Sequence, residues 1–121
     1  GLANAIILPY VLDAFGKKAY KKLAQLSDVI SLCEKTASRE EKAKAFIAWI
    51  RDLNKKMEIP EKFDIVYDEK AVDEMAKNAI KEGNPLYPVP KEFNLEDFKD
   101  IYKKVLIIKI GIIKLHTITV I

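Results

Sequence analysis

Apolar residues recur along most of this chain at helical spacing, and the polar positions between them mark where helices start and stop. Residues 1–15 come first. Leu2, Ala3, Ala5, Ile6, Ile7, Leu8, Tyr10, Val11, Leu12 and Phe15 leave almost no polar face. A helix that is apolar all round needs neighbours on every side. Pro9 is expected to kink it, because proline removes one backbone bond. Gly16 is a natural stop. From Lys17 to Glu34, the residues Ala19, Leu23, Leu26, Ile30 and Cys33 step by four, three, four and three, which predicts a second helix with one apolar stripe.

A third helix is announced by Ser38 with Glu41 three residues later, the signature of a capping box. Ala43, Phe46, Ile47, Ile50, Leu53 and Met57 form its apolar face, and Trp49 lies at the edge. It should end before Ile59-Pro60, because the residue before proline resists helical backbone. Residues 60–67 read as a loop. Asp68 can cap a fourth helix that buries Val72, Met75, Ala76, Ala79 and Ile80 and ends at Gly83. Asn84–Pro90 holds three prolines and should be extended. Asn94 can cap a fifth helix, with Leu95, Phe98, Ile101, Tyr102 and Val105 inside. The expected fold is therefore all-α, a bundle of about five helices.

The last 17 residues, Val105–Ile121, break the pattern. They carry seven Ile, two Val, two Leu and two Thr, with no acid, a composition that favours strand over helix. Lys109, Lys114 and His116 interrupt the run, so it falls short of the roughly 20 apolar residues that cross a bilayer. No basic leader precedes the apolar residues 1–12, so they do not read as a signal peptide. A peripheral membrane role for the tail lacks the helical stripe it would need.

Composition narrows the function classes. The 121 residues carry 21 basic and 18 acidic side chains, a net charge of +3. Lys109 and Lys114 supply two of those three charges. The signs are interspersed, with no basic stripe for nucleic acid. The single cysteine excludes a disulfide scaffold and weakly favours a reducing compartment, hence a cytoplasmic protein. Cys33, on the second stripe, reads as a buried inert thiol. One histidine, His116, excludes an internal triad or multi-histidine metal site. The pairs Glu40-Glu41, Asp68-Glu69, Asp73-Glu74 and Glu96-Asp97 lie mostly in first helical turns, where negative charge suits the helix dipole. The four glycines are isolated, so no phosphate-binding loop is present. Phe46, Trp49 and Tyr102 read as core and not as a stacking platform. The residues by themselves describe an all-α domain with no catalytic apparatus of its own.

Two stretches resemble the iron-containing alcohol dehydrogenases. Residues 1–12, Gly-Leu-Ala-Asn-Ala-Ile-Ile-Leu-Pro-Tyr-Val-Leu, resemble one signature of that family, and residues 83–90, Gly-Asn-Pro-Leu-Tyr-Pro-Val-Pro, resemble its later Asn-Pro motif. The similarity extends over about residues 1–105, which implies a dehydroquinate-synthase-like helical C-terminal domain, with 106–121 as a tail outside the family pattern. That tail fits a vector-encoded stretch, a shifted reading frame or a genuine extension.

In the family, a histidine that binds the catalytic metal directly precedes the first motif. Here that motif begins at Gly1. The other ligands, an aspartate and two histidines, lie further upstream, and so does the glycine-rich nucleotide-binding segment. The resemblance therefore implies the last third of an enzyme that interconverts alcohols and aldehydes with iron, or another divalent metal, and NAD(P). It implies no catalytic, cofactor-binding or metal-ligating residue on this chain, and no turnover without the missing portion. Only supporting roles carry over: Gly1 and Asn4 beside the lost histidine, and Asn84, Pro85 and Tyr87 facing the cleft. The implied partners are that missing portion and a small alcohol or aldehyde. Exposed apolar surface would promote self-association. A stand-alone helical interaction module is the alternative.

Overall fold

The computed structural model describes residues 1–82 and 89–107. Five α-helices run through them: α1 Leu2–Phe15, α2 Tyr20–Val29, α3 Arg39–Lys56, α4 Glu69–Glu82 and α5 Leu95–Val105. The fold is all-α, as the periodicity predicts. The described residues fall into two compact units, 1–60 with 89–92, and 61–82 with 93–107.

In the first unit α1 continues through Pro9 to Phe15. Gly16 then takes a φ of +60°, and its N–H donates to the carbonyl of Asp13. A Cβ here would meet nothing within 4 Å, so it is the backbone angle and not space that suits glycine. The expected helix over 17–34 is shorter and in two parts: a 3-10 turn, Gly16–Ala19, and then α2. The end of α2 is a Schellman closure. Leu32 N–H donates to Ser27 O, and Ser31 N–H to Asp28 O, with Ser31 left-handed at φ 54°. The same closure ends α3, through Ile59 N–H to Asn54 O and Glu58 N–H to Lys55 O, with Glu58 at φ 59°. Pro60 follows, so α3 stops where expected.

The core here is Ala19, Leu23, Ala43 and Ile47, with Leu12, Phe15, Tyr20 and Phe46 packed against it. The alanines let α2 and α3 approach, and burying a side chain the size of Leu23 or Ile47 contributes about 1.5–3 kcal/mol. The α2 stripe is rotated from its expected position. Ala24 and Ser27 are buried with Leu23, whereas Leu26 and Ile30 are exposed and Cys33 sits half-buried in the turn beyond the helix. Once the helix ends at Val29, nothing holds Ile30 and Cys33 in register with Leu23. Trp49, Leu53 and Met57 are likewise exposed, because α3 outruns the partner that covers Ala43 and Ile47. Ser38 Oγ caps α3 by accepting from Glu41 N–H at 3.1 Å.

In the second unit α4 and α5 pack together and bury Val72, Ala76, Ile101 and Val105, while Met75 and Ile80 stay exposed. Asp68 accepts from Ala71 N–H at 3.2 Å, and Asn94 and Asp97 form a complete capping box at α5. The stretch read as a loop is tied to the residues after α5. Phe63 N–H donates to Val105 O at 2.8 Å, Ile107 N–H to Ile65 O at 3.0 Å, and Tyr67 N–H to Ile107 O at 2.6 Å, around a parallel bridge between Val66 and Ile107. Among the described residues, no helix is long and apolar enough to cross a membrane.

Candidate functional site

The first family-like motif opens α1. Gly1 is its N-cap, and Gly1 O accepts from Ala5 N–H at 3.2 Å. Asn4 lies in the first turn, and both residues are exposed. The near-wholly apolar helix that should have been enclosed buries only Ile6 and Pro9 and leaves Leu2 60% exposed. The reason is a lack of partners: among α-helices of its own unit, only α3 makes extensive contact with it. Asn84, Pro85 and Tyr87 lie outside the described residues, as do Gly83 and His116.

Besides Leu12 and Phe15, which pack on the core of the unit, polar contacts anchor α1. Pro9 has no N–H to give to the carbonyl four residues earlier, that of Ala5. The side-chain amide of Asn54, on α3, donates to that same carbonyl at 2.8 Å. One turn away along α3, Arg51 pairs with Asp13, and its guanidinium lies 5.7 Å from the centre of the Tyr10 ring. Neither Asn54 nor Arg51 stood out in the sequence. The available signal was Pro9 itself, which obliges some neighbour to supply a donor.

A second polar group lies in the other unit. Tyr67 Oη donates to Glu69 Oε2 at 2.6 Å, and Lys99 Nζ donates to Glu69 Oε1 at 2.8 Å. Lys99 also lies 3.9 Å from Asp73, whose other oxygen pairs with Lys77 at 2.9 Å. The hydrogen bond to Glu69 pushes the Tyr67 phenol up to about 12. The bonds from Lys99 and then Tyr67 hold the Glu69 carboxyl below its ordinary value. Both shifts move the titrations away from pH 7, the reverse of what proton transfer there requires. The cluster braces the 63–67 stretch against α4 and α5.

Among the described residues, no group of three or more His, Cys, Asp or Glu could hold a metal ion. The described residues by themselves offer no ligand set for a catalytic iron.

Comparison with known proteins gives these elements a context. The model of the Fe-containing alcohol dehydrogenase family, C-terminal, matches residues 1–106. An NADPH-dependent butanol dehydrogenase from Clostridium saccharobutylicum is 33% identical over 108 residues, which cover 85% of this chain and 27% of that relative. The chain thus spans well under a third of the length of the curated relative it matches. No solved structure matches.

Proposed function

The chain belongs to the Fe-containing alcohol dehydrogenase family, and from that premise we propose that it forms the helical C-terminal part of an enzyme that interconverts an alcohol and an aldehyde. The observation that carries this is the family match over residues 1–106, which takes in all five helices. The coenzyme is of the NAD(P) type, a reading supported by the NADPH-dependent relative. Iron and coenzyme are held by the portion of the enzyme outside the matched region. The relative supports this, since the matched region covers only 27% of its length.

On this reading the chain's own contribution is positional. The start of α1, with Gly1 and Asn4, borders the metal ligands, and Asn84, Pro85 and Tyr87 return toward the cleft. Residues 1–105 make up the family domain, and 106–121 lie outside it. The 121-residue chain alone turns over no alcohol. Its natural partner is the remainder of the enzyme, which covers the exposed face of α1. Without it, exposed Leu2, Leu8, Leu53 and Met57 promote self-association. The enzyme works in the cytoplasm, in keeping with a single unpaired cysteine.

A chimaera tests the reading. The corresponding segment of the Clostridium saccharobutylicum enzyme is replaced by residues 1–106, and NADPH-dependent butyraldehyde reduction is measured. Retained activity supports the proposal. A folded, soluble chimaera that binds coenzyme and carries metal but reduces no aldehyde contradicts it, and leaves the interaction module as the better reading.

A further inference from the structure

We propose that a cavity between α2 and the start of α3 binds a small phosphoryl dianion, a function independent of the dehydrogenase reading. The cavity has a volume of about 220 Å³, and its wall carries three cations, Lys21, Arg39 and Lys42, against one carboxylate, Asp28.

The buried member is Lys42, whose side chain is only 10% exposed. Its ammonium donates to Lys35 O at 2.8 Å and lies 2.8 Å from Asp28 Oδ1. An ammonium has three N–H donors, so one is left without an acceptor among the described residues. The Asp28 charge is already taken up by Lys42. Lys21 and Arg39 form no ion pair among the described residues, and both are exposed on their helices. Two uncommitted cations thus converge on a cavity whose third cation is fixed in place. Arg39 brings a planar fork suited to two oxygens of one group, and Lys21 a mobile point charge. Gln25, also in the wall, adds an amide donor.

Size sets the class of ligand. The volume lies below the roughly 300–1,000 Å³ of sites that enclose drug-sized molecules. Inorganic phosphate or a short phosphomonoester fits that volume. The feature is local, since the whole chain carries only +3 with mixed signs. Lys42 has already lost most of its contact with water in the free protein, so its part of the desolvation cost is met before the ligand arrives.

The test titrates the 121-residue chain with inorganic phosphate, and separately with glycerol 3-phosphate, following backbone amide shifts at constant ionic strength. Chloride serves as the comparator. The expected result is saturation at about 1 mM or tighter, with shifts confined to residues around 21–42. Lys21→Ala with Arg39→Ala should weaken binding at least about tenfold while leaving the melting curve unchanged. Lys21→Gln with Arg39→Gln repeats the test should the alanine pair unfold. Saturable binding of inorganic phosphate assigns the free anion, and tighter binding of glycerol 3-phosphate assigns an ester; either supports the site. Shifts that grow linearly, that chloride reproduces, or that persist in the double variants overturn it.

Discussion

The two units keep their helices together by different means. In the first, Leu23 of α2 and Ile47 of α3 meet across a seam of small residues, Ala19 and Ala43, so apolar contact between helices holds the pair. In the second, α4 and α5 bury Val72, Ala76, Ile101 and Val105 along a shorter line of contact. That pair is fixed at its ends, by Asp68 and the Asn94–Asp97 box, by the 63–67 pairing with 105–107, and by the Tyr67–Glu69–Lys99 cluster. Where an apolar seam is long, caps are supplementary. Where it is short, they decide whether the helices form at all.

α1 belongs to the first unit but follows neither pattern. It is the most apolar of the five described helices, yet beside the core contacts of Leu12 and Phe15 it meets α3 through Asn54 on Ala5 O and Arg51 on Asp13 and Tyr10. Burial therefore tracks the supply of partners, and hydrophobicity alone does not secure it. On the proposed function, its remaining partners lie on the rest of the enzyme.

The sharpest way to break the contrast is Ile47→Ala. It empties the centre of the first seam and should cost about 3 kcal/mol in chemical denaturation. A loss below about 1 kcal/mol would show that the seam does not hold the unit. Next is Asn54→Ala, which leaves the Ala5 carbonyl without its donor and should cost about 1–2 kcal/mol. Pro9→Ala restores a backbone N–H opposite that carbonyl. In a double-mutant cycle, Asn54→Ala should then cost visibly less in the Pro9→Ala background. Equal costs in both backgrounds would refute the link between the two residues. In the second unit Asn94→Ala should cost about 1 kcal/mol, read as faster amide exchange along α5. Uniform exchange in both units would erase the distinction drawn between them.

The smallest effect is pH dependence. Glu69 is held below its ordinary 4.5, so its contribution is complete above that value and fades as pH falls through the lower folded value. Tyr67 is raised from 10.0 to about 12, so its contribution is complete below 10.0 and is lost as pH climbs toward 12. Tyr67→Phe should remove the alkaline loss and leave the acid one. A phenolate absorbance that titrates fully near 10.0 would mean that the bond to Glu69 does not form.

Much of this was legible in the sequence, at the places where local chemistry decides. Ser38, Asp68 and Asn94 start helices because their side chains accept from backbone donors close by. Ile59-Pro60 ends one because proline constrains its neighbour. The early end of α2 was not legible, because Ser31 occupies a left-handed position that glycine usually marks. The exposure of Leu26, Ile30, Trp49 and Met57 was not legible either, because periodicity gives the direction of a face and says nothing about whether another element covers it. At the candidate site, the motif at residues 1–12 pointed to the family. The polar anchoring of α1 depends on Asn54, 45 residues from Pro9 and linked to it only in three dimensions. The phosphate-sized cavity escaped for a similar reason, since Lys21, Arg39 and Lys42 converge only after α2 and α3 pair.

On the proposed function, this chain supplies helical structure to an alcohol dehydrogenase whose catalytic centre lies on the rest of the enzyme. The most direct test is to incubate the purified 121-residue chain with ferrous iron, remove unbound metal, and measure retained iron together with NADPH oxidation in the presence of butyraldehyde. The expected result is no iron above that of an unrelated helical protein and no oxidation above the protein-free rate. Stoichiometric iron with aldehyde-dependent turnover would contradict it.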